Sequence, residues 1–146
     1  MVQADMVNIA RATATDEGLF PELVCAIIEQ ESDWNPWAIR YEPGFFEHYV
    51  KPLLDSTTIS VTEAQIRAIS WGLMQTMGQS VREIGFNGPM ASLCDPQTGI
   101  LWGCKLFTKK LGFAGGDTEK ALLLWNGGGR PAYVQEVLAR VEKYKT

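Results

Sequence analysis

Apolar residues recur every three or four positions along almost the whole chain, a period that suits α-helices and not strands. The pattern predicts helices over 2–15, 21–32, 96–111, 118–125 and 132–144. Shorter ones are expected within 45–55, where Pro52 should break the run, from Ser60 or Thr62 through 69, and near 79–84. Pro21 suits a first helical turn, and Asp95-Pro96 marks another start. The stretch 41–58 is irregular, and a small β element is expected somewhere in 39–61. The fold class is therefore all-α, or α with a minor β element. No repeat, low-complexity tract or linker divides the 146 residues, so one domain over 1–146 is expected. A chain of this length buries roughly 70% of the surface its unfolded form exposes, enough to fold without metal or disulfide support.

Several functions find no support. The formal charge is −4, without sign of the basic face that nucleic acid requires. Cysteines number three, so they cannot all pair, and none has zinc-like spacing. Buried free thiols at Cys25, Cys94 and Cys104 are expected, with a Cys94–Cys104 bridge as the alternative. His48 is the one histidine. No metal and no cofactor are expected. No run approaches the ~18 apolar residues of a membrane span, so membrane insertion is not expected either. The first residues, "MVQADMVNIARATATDEG", lack the basic start and apolar run of a signal peptide. A monomer made in the cytoplasm without a signal peptide is the expectation.

The stretch "IIEQESDWNP" sets three acids close together: Glu29, Glu31 and Asp33. At 100° per residue they are not equivalent. Glu31 follows Ile27 and Val24 along the apolar stripe of its helix, whereas Glu29 should face water and Asp33 lies beyond the helix end. Burial against apolar neighbours raises a carboxyl pKa, and the negative end of the helix dipole pushes the same way. Glu31 is thus prepared to donate a proton. The plain alternative is that Glu31 ends the helix at the surface, paired with an arginine.

Four motifs occur in one order: "ESDWNPWA" at 31–38, "GLMQTM" at 72–77, "DPQTGILWGCKLF" at 95–107 and "ALLLWNGGG" at 121–129. Together they resemble the soluble-type lytic transglycosylase domain, in the family that also holds goose-type lysozymes (glycoside hydrolase family 23). "AYVQEVLARVEKY" at 132–144 is similar to that family's last helix. The resemblance implies a lysozyme-like helical domain with a substrate cleft, acting on peptidoglycan glycan strands in the periplasmic or extracellular wall. With the missing leader, it suggests a phage endolysin.

Carried over by motif, Glu31 matches the single catalytic acid/base. Gln75 and Met77 match residues lining the sugar groove, and Asn126 matches the Asn of the family's Tyr-Asn-Ala-Gly segment. Ser70, Trp125 and Tyr133 complete the expected substrate-binding set. Ser70 could bond Glu31 or cap a turn. Trp125 stands where the family has Tyr, so a hydroxyl near Glu31 would have to come from Tyr133 or Tyr41. Turn-backbone satisfaction is the alternative role for Gln75 and Asn126. Trp34, Trp37 and Trp71 also flank the motifs; indole faces stack on sugar rings, yet some of these must be core. The stretch 39–71 is long where many members have a short loop. It carries "RYEPGF", similar to a stretch of some phage muramidases, which makes Glu42 a candidate second carboxylate; an ion pair with Arg40 is the alternative.

The resemblance implies cleavage of the MurNAc-β-1,4-GlcNAc bond. As a lytic transglycosylase, the chain would close a 1,6-anhydro ring with Glu31 alone. As a muramidase, it would use Glu42 to activate water, as two-carboxylate glycosidases do. A catalytically silent peptidoglycan-binding or structural module is the alternative of another class.

Overall fold

The computed structural model describes residues 1–56 and 59–146, so the end of the irregular stretch, at 57–58, lies outside the described residues. Its element order is α1 Gln3–Asp16, α2 Pro21–Ser32, β1 Ile39–Tyr41, α3 Pro43–Phe45, a π-turn Phe46–Val50, α4 Lys51–Ser56 and α5 Val61–Arg67. Then follow β2 Ile69–Trp71, β3 Thr76–Met77, α6 Gly78–Glu83, a 3₁₀ turn Met90–Cys94, α7 Pro96–Phe113, α8 Thr118–Trp125 and α9 Ala132–Tyr144. The domain is mainly α and lysozyme-like, with a small three-stranded sheet.

α2 is the axis of the fold. Pro21 opens it, and every residue from Leu23 to Ile28 is buried. A helix that is apolar all round must be covered all round. α1 and α9 pack directly on it, while α7 and α8 complete the same core cluster. α1 offers Met6, Ala10 and Ala14, mostly small residues that permit close approach. α9 adds Tyr133, Val134, Val137 and Tyr144.

Polar contacts pin the end of α2 to α9. Gln30 Nε2 donates to Glu136 Oε2 at 2.7 Å, and the Trp34 indole N–H donates to the Tyr144 hydroxyl at 2.9 Å. Glu29 pairs with Arg140 at 3.3 Å and with Lys143. Glu29 was expected to face water; instead its side chain is 13% exposed, because α9 covers that side of α2. Burial alone would raise its pKa. Hydrogen bonds from Lys143 and Tyr144, with the charges of Lys143 and Arg140, outweigh that and hold it low.

The β element is larger than expected. β1 lies in the anticipated stretch, but its partners β2 and β3 come from residues read as a helix end and a turn. The pairing is antiparallel, with Arg40 opposite Ser70 and Ser70 opposite Met77. Two flanking bonds extend the β1–β2 ladder: Gly72 N–H to Ala38 O at 2.8 Å and Glu42 N–H to Ala68 O at 2.9 Å. The 39–71 insert therefore leaves and returns through one zipped pair of strands. It holds a core of its own, Val50, Ala64 and Ala68, with Phe45, Phe46, Leu54 and Ile59 packed against it.

Pro52 does not break the insert's helical run. The Lys51 N–H reaches back to Phe46 O, a π-type bond, and α4 follows directly. The proline ring clashes with the carbonyl four residues earlier in α register, and the wide turn just before it relieves that. Ser60, not Thr62, caps α5, accepting from the Glu63 N–H at 3.0 Å. Glu63 in turn bonds Arg67 at 2.9 Å and Arg82 at 2.8 Å, tying α5 to α6. All three cysteines are buried free thiols, so the Cys94–Cys104 bridge does not form.

A hairpin turn, 72–75, joins β2 to β3 and packs on α7. Gly72 adopts φ +70°, and any Cβ there would meet Leu93 O at 2.3 Å. On α7, a Cβ at Gly103 would lie 2.3 Å from Met74 Sδ and 2.9 Å from its Cβ. Met74 is fully buried in the main core. Gly103→Ala is expected to destabilise the fold by about 1–3 kcal/mol through overpacking, read as a lower denaturation midpoint with an unchanged m-value.

Candidate active site

One cleft of about 500 Å³ lies between the helical body and the sheet with its insert. Glu31 reaches it from the end of α2, where Asp33 takes the left-handed conformation (φ 50°) and turns the chain away. Ser32 locks that end in place: its hydroxyl is 2.8 Å from Leu73 O, across in the hairpin turn, and 3.1 Å from Ile28 O.

The sheet builds the facing wall. Residues two apart in extended chain share a face, so Arg40 of β1 and Glu42, the extended residue just past it, project together. Register places Ser70 beside Arg40 and Met77 beside Ser70, making a row across three strands. All four line the cleft. Ser70 makes no hydrogen bond to Glu31 and caps no turn; it stands mid-strand in β2.

Gln75 lines the cleft in a left-handed backbone (φ 52°). Its side-chain amide donates to Ala38 O and Gly72 O, both at 2.9 Å. Both N–H groups are thereby engaged, and Oε1 remains to accept. Asn126 also lines the cleft and donates to Arg130 O at 3.3 Å, closing the glycine turn after α8. The backbone-satisfying roles that the sequence left open are thus the observed ones, and both side chains border the cleft as well.

Trp125 forms part of the cleft floor. It packs against both the main core and the cluster around Trp71 and Leu93, and meets Phe107 edge-on at 5.7 Å. Its indole N–H, the one donor the side chain has, favours the Glu31 carboxylate and pulls its pKa down. The polar group facing Glu31 is thus the indole N–H of Trp125. Neither Tyr133 nor Tyr41 supplies it. Tyr41 is exposed on the other face of β1 and stacks on Phe46. Tyr133 was expected among the substrate-binding residues, yet it is 2% exposed and lies outside the cleft lining. Its hydroxyl is buried with no hydrogen-bond partner among the described residues. Burial, then the nearby charges of Glu31 and Glu136, hold that phenol protonated well above its ordinary range.

The two acids of the cleft differ in their surroundings. Glu42 is bound to Arg40 at 3.0 Å, the ion pair the sequence offered as its alternative. Glu31 makes no ion pair among the described residues. Burial pushes its pKa from 4.5 up to about 7, against the opposing pulls of the Trp125 hydrogen bond and the Arg40 charge. The arginine pairing considered for Glu31 is made by Glu29 instead, under the cover of α9. Of the flanking tryptophans, Trp34 and Trp71 are buried core, and Trp37 is 75% exposed. The sequence reading missed Phe45, Ser80, Leu106, Lys110 and Leu124 as cleft residues. Only helical spacing hinted at one pair, Leu106 and Lys110, one turn apart on α7.

A family model described as the transglycosylase SLT domain matches residues 8–145. The chain belongs to this family. No curated protein and no solved structure gives a match. The SLT domain is of lytic-transglycosylase type, and its substrate is peptidoglycan. In this SLT domain the cleft holds two acids, Glu31 and Glu42, and two cations, Arg40 and Lys110. Among the described residues no helix is long and apolar enough to cross a membrane, and no cluster of His, Cys, Asp or Glu could hold a metal ion.

The raised pKa of Glu31 has a signed consequence. Between pH 4.5 and about 7 the folded domain keeps a proton that the unfolded chain has released. Stability therefore falls as pH rises through that window and is flat with respect to this group outside it. Glu31→Gln should stabilise the domain relative to wild type at pH 8 and not at pH 4, measured by thermal melts at both. Trp125→Phe removes a donor that favours the carboxylate, so the Glu31 titration followed by carboxyl NMR should move to higher pH.

Proposed function

We propose that this domain is a peptidoglycan lytic transglycosylase in which Glu31 acts alone, first as acid and then as base. The observation that carries this reading is the setting of Glu31: in the cleft, free of any ion pair among the described residues, and with a pKa near 7. A carboxyl so placed is protonated often enough near neutral pH to donate, and basic enough afterwards to accept. Glu31 gives its proton to the oxygen linking MurNAc C1 to GlcNAc, and the C1–O bond breaks. The carbonyl oxygen of the sugar's own N-acetyl group stabilises C1. Glu31, now a carboxylate, takes the proton of the C6 hydroxyl, whose oxygen closes on C1 to form 1,6-anhydroMurNAc. No water is consumed, and the acid is restored.

The free Oε1 of Gln75 suits an N–H or O–H of the glycan, and Ser70 and Asn126 border the same path. The Trp125 indole holds the Glu31 carboxyl in place and tempers its pKa. The wall-degrading site of action follows from this substrate.

A hydrolytic reading rests on one observation: Glu42 lines the same cleft as Glu31. Two carboxyl groups around one bond are the arrangement by which most glycosidases admit water. The Arg40 ion pair favours the first reading, because it already engages the carboxylate that would have to bind and orient a water.

Mass spectrometry of fragments from purified sacculi separates the two. Products one water lighter than hydrolysed muropeptides are expected; reducing-end products would move the assignment to a muramidase. Glu31→Gln should fold and lose at least two orders of magnitude in sacculus clearing, about what a proton-transfer group contributes. Glu42→Gln should lose only part of the activity, and a loss as deep as that of Glu31→Gln would sink the single-acid mechanism.

A further inference from the structure

The insert carries an aromatic pair that this chemistry leaves unused. Phe45 closes α3 and is a wall of the cleft, while it also packs on the insert's own core. Tyr49 sits in the π-turn, its ring 5.0 Å from that of Phe45 with the planes inclined at 43°. Tyr49 is 60% exposed. His48 meets it edge-on at 5.6 Å. The two rings thus form a shallow corner, one ring a cleft wall and the other exposed, with His48 and the Tyr49 hydroxyl beside it.

The chemistry of this corner narrows its occupant. Glu47 and Lys51, on the same run, pair with each other at 3.6 Å, so the surrounding charge is balanced. A balanced, aromatic, hydroxyl-rimmed surface fits an uncharged ring with one apolar face and polar edges, which describes a pyranose. The π-turn is a second pointer, because such turns are frequently found at functional sites. The corner also adjoins the cleft, because Phe45 belongs to both.

Taking the cleft as the glycan site proposed above, we infer that Phe45 and Tyr49 form an outlying saccharide subsite. A pyranose ring of the strand stacks there, beyond the two sugars that flank the broken bond. The subsite gives the domain a preference for long strands over short ones.

The test is binding of N-acetylglucosamine oligomers, trimer against hexamer, to the full chain carrying Glu31→Gln, by calorimetry. Tyr49→Ala in that background should weaken hexamer binding about tenfold, leave trimer binding unchanged, and be rescued by Tyr49→Trp. Unchanged hexamer binding, loss uniform across lengths, or no hexamer binding to any variant would overturn the subsite. So would a shift from dimer to monomer in sedimentation with binding untouched, which would make the pair a self-contact. Sacculus cleavage by the wild-type chain is scored separately. Cleavage without a Tyr49 effect removes the subsite and keeps the catalytic reading. A length-dependent Tyr49 effect without cleavage does the reverse.

Discussion

Everything in this domain leans on the burial of α2. From Leu23 to Ile28 it shows no face to solvent, so α1, α7, α8 and α9 must gather round it to remove that apolar surface from water. The same packing determines where the helix can end. Past Ile28 only α9 still follows the helix, and the next side chains emerge part-buried. Glu31 is one of these. Its altered proton affinity is therefore a by-product of the core: the apolar mass that stabilises the fold is also what disfavours the charge at its edge.

The two glutamates flanking Gln30 show how little sequence separates two electrostatic fates. Glu29 is tucked against α9 and meets Arg140, Lys143 and Tyr144, so its charge is retained. Glu31 meets an indole N–H and only a distant positive charge, so burial prevails. The first holds helices together, and a mobile proton there would weaken the joint. The second holds nothing together and is left with its proton to exchange. Trp125 stands between structure and chemistry, anchored in two apolar clusters while its N–H addresses the acid.

Much of the architecture is legible in the chain. The long helices follow from their apolar period, and Pro21 and Asp95 mark two of the starts. The small sheet is not legible, because strands of two or three residues are too short to display a period. β2 exists because Ile39, Arg40 and Tyr41 run beside it, a relation between distant segments, and β3 because the hairpin turn folds it back on β2. Helical spacing located Glu31 correctly, but it misread Glu29: spacing names a face and not the helix that will cover it. Ser70, Gln75, Met77 and Asn126 stand at the cleft where their motifs suggest. Tyr133 does not, since the apolar side of α9 claims its ring for the core. Lys110 and Phe45 escaped notice because nothing in their local sequence distinguishes a cleft wall from an ordinary surface.

The zipped base of the insert has a consequence for how such a domain can diversify. Because Ala38–Gly72 and Glu42–Ala68 close the ladder at both ends, the chain between them enters and leaves through that one doorway, and α5 is held to α6 by Glu63 and Arg82. Lengthening or shortening it costs little, since each doubling of a closed loop adds only about 0.6 kcal/mol of entropy. Nor does its length disturb Arg40 or Glu42, which belong to the doorway itself. Length changes confined to the part of the segment away from α5 therefore reshape the rim of the cleft without moving the proton-transfer centre.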